Sequence, residues 1–267
     1  AIPALAVTEP SSGSDAARIR LSARRDGDSY VLNGEKTSIS FASSADTALV
    51  MARTGTLEQG AKGISAFYVH LDSQGVSRTR FRDLGSRAVG RGQLFFDSVR
   101  VPVAMRIGED GAGFVQVMQG FDFSRALIGL MCIGAAEQSL EETCQYVAER
   151  QAFGASLARF EGVSFPLAEA AIQLRAARLI CYEALWLRDR DQAHGWLAAG
   201  CKWWAPELSA HVIHQCLLLH GHLGFSLELP HQQRLRDVIG LEIGDGTAQI
   251  MKLVVARELL GKAARPY

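Results

Sequence analysis

From residue 1 to about 103, apolar and polar positions alternate in short runs, the two-residue period of half-buried strands. The pattern predicts strands at Leu5–Thr8, Arg18–Arg24, Tyr30–Leu32, Lys36–Phe41, Ala48–Ala52, Ile64–Leu71, Val76–Phe81 and Leu94–Val101. Turn signals separate them at Ser11–Asp15, Asp26–Asp28, Asn33-Gly34, Asp72–Gly75 and Arg91-Gly92, and Val101-Pro102 ends the last strand. After Gly111–Gly113 the period lengthens to that of helices. Five Ala- and Leu-rich stretches follow: Phe114–Arg150, Phe160–Arg190, His194–His220, His231–Ile239 and Thr247–Lys262. Breakers stand at Phe153-Gly154, Gly195, Gly221 and Leu229-Pro230. Residues 126–136 are apolar almost all round, so their helix should be buried in a bundle. Pro206 should kink its helix or mark a first turn. The expected fold is α+β and multi-domain: an antiparallel β-sandwich or barrel over residues 1–103, then an antiparallel four-helix-type bundle over 104–267.

Composition narrows the function classes. Twenty-eight Lys and Arg balance 28 Asp and Glu, so the net charge of zero argues against a nucleic-acid or membrane-surface binder. Any anionic ligand must be met by a few placed cations. No apolar run reaches membrane-spanning length and there is no signal-peptide pattern. Cys132, Cys144, Cys181, Cys201 and Cys216 show no paired spacing and fall in helical text, which predicts buried, reduced thiols and a cytoplasmic protein.

The candidate chemistry centres on Leu241–Arg257, where a Gly-Asp-Gly-Thr turn opens into an amphipathic helix. Asp245 or Thr247 is a natural N-cap, and spacing alone favours a capped helix and nothing more. The functional reading is a carboxylate beside a helix N-terminus that holds a phosphate. Val7–Asp15 is an ordinary Ser/Gly/Asp turn or a cradle for a polar ligand. Arg150, near a helix end, complements the dipole or grips a phosphate. Asp122 and Arg125, three apart on a helix, read as a surface ion pair. His211 and His214, with His220 and His222 nearby, have no obvious third protein ligand, so no metal is expected. There is no dinucleotide fingerprint, Walker loop or nucleophile elbow. Trp203-Trp204 reads as bundle core.

Taken in order, Val7–Asp15, Leu32–Lys36, Leu84–Phe96, Gly111–Phe114, Arg150–Gly154, Leu219–Gly221 and Asp245–Ile250 resemble the acyl-CoA dehydrogenase family over essentially the whole chain. The resemblance covers the C-terminal two-thirds of that fold. It does not cover the family's N-terminal helical domain, roughly a hundred residues on domain-size grounds, which forms one wall of the active site.

The resemblance implies FAD-dependent α,β-dehydrogenation of an acyl-CoA or carrier-protein thioester. A carboxylate takes the α-proton and flavin N5 receives the β-hydride. Hydrogen bonds to the thioester oxygen stabilise the enolate, and a dry pocket raises the base's pKa. By position the base is Asp245. The implied cofactor contacts are Thr8, Ser14, Ser40 (near N5), Arg150, Phe153, Gly221, Thr247 and Gln249, with Arg150 and Phe153 reaching the FAD of a neighbouring subunit. Ser14, Asp122, Arg125 and Gly246 are implied on the substrate side. The implied partners are an electron-transfer flavoprotein or similar acceptor and further copies in a homodimer or homotetramer, or in a hetero-oligomer. No nucleic-acid or membrane partner is expected.

Departures from the family pattern sharpen this. Asp245 stands where most members have Glu, shortening the reach by about 1.5 Å. Ser38 replaces a Trp that shields the flavin, and the site therefore suits a bulky acyl group. Ala152, Leu218 and His222 alter usual dinucleotide contacts. A nitroalkane-oxidase-like enzyme and a degenerate, non-catalytic subunit of a heteromeric dehydrogenase are the alternatives.

Overall fold

The computed structural model describes residues 1–264. The last three residues of the expected 104–267 bundle lie outside the described residues. The chain divides into two compact units, Ala1–Gly120 and Phe121–Tyr267.

The first unit holds β1 (Pro3–Ala6), β2 (Ser22–Asp26), β3 (Ser29–Ile39), β4 (Thr47–Arg53), β5 (Ile64–His70), β6 (Val76–Arg80), β7 (Gly92–Pro102) and β8 (Arg106–Ile107). They form one sheet in the order β6-β7-β3-β2-β4-β5-β8, with β1 joined to β4. The expectation of a purely antiparallel domain is corrected. β1 runs parallel to β4 from Pro3/Thr47 to Ala6/Val50, and Ser22 of β2 meets Arg53 of the same strand in parallel. The segment between β1 and β2 is a crossover and not a hairpin, so both strands reach β4 in the same sense.

Two further expectations change. Asn33-Gly34 was expected to be a turn between two strands, yet β3 runs straight through it, with register shifts against β7 between Leu32 and Gly34 and between Lys36 and Ile39. The Asn33 side chain accepts the Ser98 N–H at 2.8 Å. Gly34 has φ +137°, and a Cβ there would lie 2.9 Å from Leu21 Cα. The dipeptide serves a bulge, which uses the same glycine freedom as a turn. Arg18 belongs to a 3-10 turn, Ala16–Arg18, and β2 starts only at Ser22.

Leu21, Leu32, Val50, Phe67, Leu94 and Val99 fill the core of this unit. Beside them Lys36 is buried with Glu9 at 2.9 Å. The Glu9 carboxylate also accepts the N–H groups of Arg20 and Leu21, and Lys36 donates to the Val7 carbonyl. The Lys36 ammonium thus has two acceptors and both Glu9 oxygens are engaged, the support a buried charge pair requires.

The second unit carries most of the 37-residue α1 (Gly113–Glu149), a short hairpin β9 (Gln151–Ala152) and β10 (Ala155–Ser156), then α2 (Glu161–Arg188), α3 (Gly195–Leu219), α4 (His222–Phe225), α5 (His231–Ile243) and α6 (Ala248–Leu260). Ile133, Leu174, Cys181, Val212, Ile213 and Val238 form its core. α3 is the central element and continues through the buried Pro206, which is not in a first turn. Three burial expectations are corrected. Leu127 (42% exposed) and Met131 (58%) open one side of the 126–136 stretch, while Ala126, Gly129, Cys132, Ile133 and Ala136 are buried against the bundle. Cys144 is exposed, while the other four thiols are buried. Trp203 is only partly buried: its Nε1 donates to Glu207 and Lys252 stands over its ring. No helix among the described residues is long and apolar enough to cross a membrane.

Candidate active site

The turn between α5 and α6 departs most from ordinary backbone. Asp245 has φ +56° and Gly246 φ +107°. A non-glycine residue in the left-handed region costs free energy unless its surroundings hold it there, although Asp tolerates it better than most. Two buried cations hold this turn. Arg125 of α1 donates from Nε to the Asp245 carbonyl at 3.4 Å and from Nη1 to Asp122 at 2.8 Å. Lys202 of α3, 1% exposed, donates from Nζ to the Gly246 carbonyl at 3.1 Å. Ser124 offers its hydroxyl to Asp245 Oδ2 at 3.5 Å.

The Asp245 carboxylate is accessible to solvent, yet the protein mass around it raises its pKa above the ordinary carboxylate value. Desolvation is the leading cause; Lys202, Arg125 and the Ser124 hydrogen bond pull the other way. A carboxylate tuned upward while still reachable is the profile of a general base. The N–H groups of Asp245 and Gly246 donate to no oxygen among the described residues. At the N-terminus of α6, Thr247 accepts the Ile250 N–H at 3.4 Å, so Thr247 and not Asp245 is the N-cap. The first turn of α6 carries no acidic side chain, which leaves its free amides and positive dipole end available to an anion.

The residues read from the sequence separate into groups. Asp245, Gly246, Thr247, Asp122 and Arg125 come together through the contacts just described, and Gln249 lies exposed in the first turn of α6. Arg150 follows the C-terminal end of α1, 25 residues after Arg125, which is roughly 38 Å along a helix. Gly221, with φ +60°, belongs to that far end, because its neighbour His220 stacks on Tyr146 of α1 at 4.3 Å. Phe153 is there too, 97% exposed in the hairpin turn with φ +52°. Arg150 forms no ion pair among the described residues. Arg150, Phe153 and Gly221 therefore cannot serve the same site as Asp245 of their own copy.

In the first unit the Thr8 carbonyl accepts the Thr37 N–H at 2.9 Å, which ties the segment after β1 to the end of β3. Ser40 is exposed just beyond β3, and Ser14 is exposed in the loop that Glu9 anchors. Ser38 occupies the second β3 irregularity with φ +60°. Sequence reasoning missed Ser124 and Lys202. The available signal for Lys202 was a lone cation between Cys201 and Trp203 in an otherwise apolar helix.

Residues 4–99 match the model of the acyl-CoA dehydrogenase middle domain, and residues 111–260 that of the acyl-CoA dehydrogenase C-terminal domain. The human mitochondrial short-chain specific acyl-CoA dehydrogenase is 37% identical over 260 residues, covering 97% of this chain and 63% of the relative. Among solved structures, the butyryl-CoA dehydrogenase of Megasphaera elsdenii superposes with a TM-score of 0.93 at 30% identity, covering 97% of this chain and 68% of that one. The prolyl acyl carrier protein oxidase AnaB gives a TM-score of 0.94 at 26% identity with the same coverage. The chain thus spans less than two-thirds of the human relative's length. With both domain models matched across its two units, the chain belongs to the acyl-CoA dehydrogenase family, whose members are FAD-dependent flavoproteins acting on CH–CH bonds.

Proposed function

We propose that the protein dehydrogenates an acyl thioester at its α,β bond, with Asp245 as the base that removes the α-proton. The observation that carries this reading is the accessible, left-handed Asp245, whose carboxyl pKa is raised while its turn is held by two cations. An α-proton is far less acidic than a carboxyl group, so the enolate must be stabilised as it forms. The unclaimed amide of Asp245 is the donor proposed for the thioester oxygen. Asp122, Arg125, Gly246 and Ser14 are the proposed substrate-side residues.

The residues present fit FAD. Free amides and a positive dipole end at α6, with no acid in its first turn, suit a pyrophosphate. Thr247 and Gln249 would hold it there, and Thr8, Ser14 and Ser40 would contact the flavin side. When bound, FAD supplies the hydride acceptor. Arg150, Phe153 and Gly221 would serve the cofactor of a neighbouring copy, which their place at the far end of the bundle supports. That reading requires a dimer or tetramer. Exposed apolar residues on α1 (Phe123, Leu127, Met131) and on α2 at seven-residue intervals (Phe165, Ile172, Leu179, Trp186) support self-association.

The short-chain and butyryl names of two relatives support a short acyl-CoA, and AnaB supports a carrier-protein thioester. Electrons would pass to an electron-transfer flavoprotein; a similar structure, at 31% identity, is described with the electron transferring flavoprotein of Acidaminococcus fermentans. Five free thiols support a cytoplasmic location. AnaB, as an oxidase, favours a second reading in which oxygen is the acceptor.

Anaerobic titration of the FAD-loaded protein with butyryl-CoA, and with an acyl carrier protein thioester, tests the proposal. Bleaching of the flavin band is expected in the wild type and lost in Asp245→Asn with FAD still bound. Rapid bleaching of Asp245→Asn would remove Asp245 from the role. Peroxide formed in air would select the oxidase reading.

A further inference from the structure

Lys202 and Lys36 are both fully buried lysines, and the two are held differently. Lys36 has the Glu9 carboxylate at 2.9 Å, whereas Lys202 forms no direct ion pair among the described residues. Its hydrogen bond goes to a neutral acceptor, the Gly246 carbonyl. A buried ammonium without a carboxylate on it is costly, so the contact it makes must matter to the fold or to the site.

The acceptor is informative. Gly246 follows Asp245 in a turn where both residues have positive φ. Arg125 takes the Asp245 carbonyl and Lys202 the Gly246 carbonyl. In a trans peptide the C=O and N–H point opposite ways, so both peptide planes are fixed, with the N–H groups of Gly246 and Thr247 turned away from the cations. A side chain at Gly246 would be strained by its φ of +107° and would make the Met251 Cε, 2.5 Å from an added Cβ, shift.

We propose that Lys202 is a positioning residue, whose buried ammonium grips the Gly246 carbonyl and so locks the Asp245–Gly246 turn in the conformation that presents the Asp245 carboxylate. The inference rests on Asp245 being the base. The groups facing Lys202 are Asp245 and Glu242 at the α5 end, and Cys132 and Arg125 on α1. Burial pushes the Lys202 amine below its usual pKa, and Asp245 opposes that shift; Lys202 in turn lowers the Asp245 carboxyl.

Lys202→Met keeps most of the buried stem and removes the charge and the donors. In hydrogen–deuterium exchange of the purified full chain, the amides of Gly244, Ile250 and Met251 should exchange about 10- to 100-fold faster, the equivalent of one lost charged hydrogen bond, while α2 stays unchanged. In the FAD-loaded protein the acid limb of the pH–rate profile should move to higher pH, which a merely structural lysine would not do. Lys202→Arg, which keeps charge and donors, should restore both. Unchanged exchange and an unmoved limb in Lys202→Met, or equal behaviour of the Met and Arg variants, would overturn the inference.

Should Lys202→Met fail to fold, Asp245→Asn at its accessible position probes the pair from the other side. Losing the facing anion should lower the pH at which the Lys202 amine titrates by NMR, and an unmoved titration counts against the inference. Bleaching retained in Asp245→Asn would overturn the base assignment alone, because the exchange readout tests the hold on the turn without any turnover.

Discussion

His231 of α5 offers a quantitative test of how the bundle is assembled. It is 1% exposed, its ring centre lies 4.4 Å from that of His220, and its Nδ1 has no hydrogen-bond partner. Arg234, one turn on, is bound to Glu142 and Ser139 of α1, so the nearby carboxylate is already engaged. Burial first, and the neighbouring His220 second, lower the His231 pKa from 6.5 to about 4, with Glu142 opposing. The folded state therefore takes up its proton later than the unfolded chain does. The stability from a neutral His231 is fully present above about pH 6.5 and is lost as pH falls toward about 4.

Between about pH 7.5 and about pH 5, a site with these two pKa values changes the unfolding free energy by about 2 kcal/mol. All four tryptophans, Trp186, Trp196, Trp203 and Trp204, lie in the second unit, so fluorescence-detected urea unfolding reports on the bundle. His231→Leu removes the titration and the unpartnered nitrogen together. Its stability at the higher pH should stay close to wild type, and wild type should lose about 2 kcal/mol more than the variant on acidification. Equal pH dependence of the two proteins, within about 0.5 kcal/mol, would refute the assignment of a buried neutral histidine.

Three further outcomes follow from contacts described above. Lys36→Met strands the Glu9 carboxylate in the β-unit and should cost about 3–5 kcal/mol in denaturant unfolding, while Lys36→Met with Glu9→Gln should cost clearly less. Thr247→Ala removes the α6 cap and should cost about 0.5–1 kcal/mol, the low end because the bond is 3.4 Å long; calorimetry of the bundle unit reads it. Gly246→Ala should lower stability by about 1–2 kcal/mol, since φ is +107° and Met251 must move, and anaerobic stopped-flow reduction should slow more than the stability loss accounts for.

Most element types were legible because the apolar period changes from two to 3.6 near Gly111 and local chemistry agrees with it. What was illegible depended on partners distant in sequence. Asn33-Gly34 is compatible with a turn or a bulge, and only the continuation of β7 along β3 decides between them. The parallel sense of β1 on β4 is likewise a pairing across 44 residues, from Pro3 to Thr47. Leu127 and Met131 looked buried because composition cannot tell which faces of a helix are covered.

In the site, Asp245 and the α6 N-terminus could be picked out locally, as a turn before an amphipathic helix. Ser124 could not, and the lone cation Lys202 in an apolar helix did not reveal its partner, since each meets the turn from another helix. The distance between Arg125 and Arg150 was available in advance from helix rise alone, and it is what separates one site's residues from the next.

The way β4 is bordered has a kinetic consequence. One of its edges is shared by β1 and β2, and β3 pairs with β7 from Ser29/Pro102 onward, so the first unit cannot close locally; the loops to be formed span tens of residues. Helices of the second unit pack on α3 from closer along the chain: α2 directly precedes it, and α5 and α6 return to it within a few tens of residues. Loop-closure entropy should therefore make the sheet the slow folder and the bundle the fast one. During synthesis the earlier-made unit would wait longest with its strand edges unpaired, and aggregation during expression should begin from the sheet.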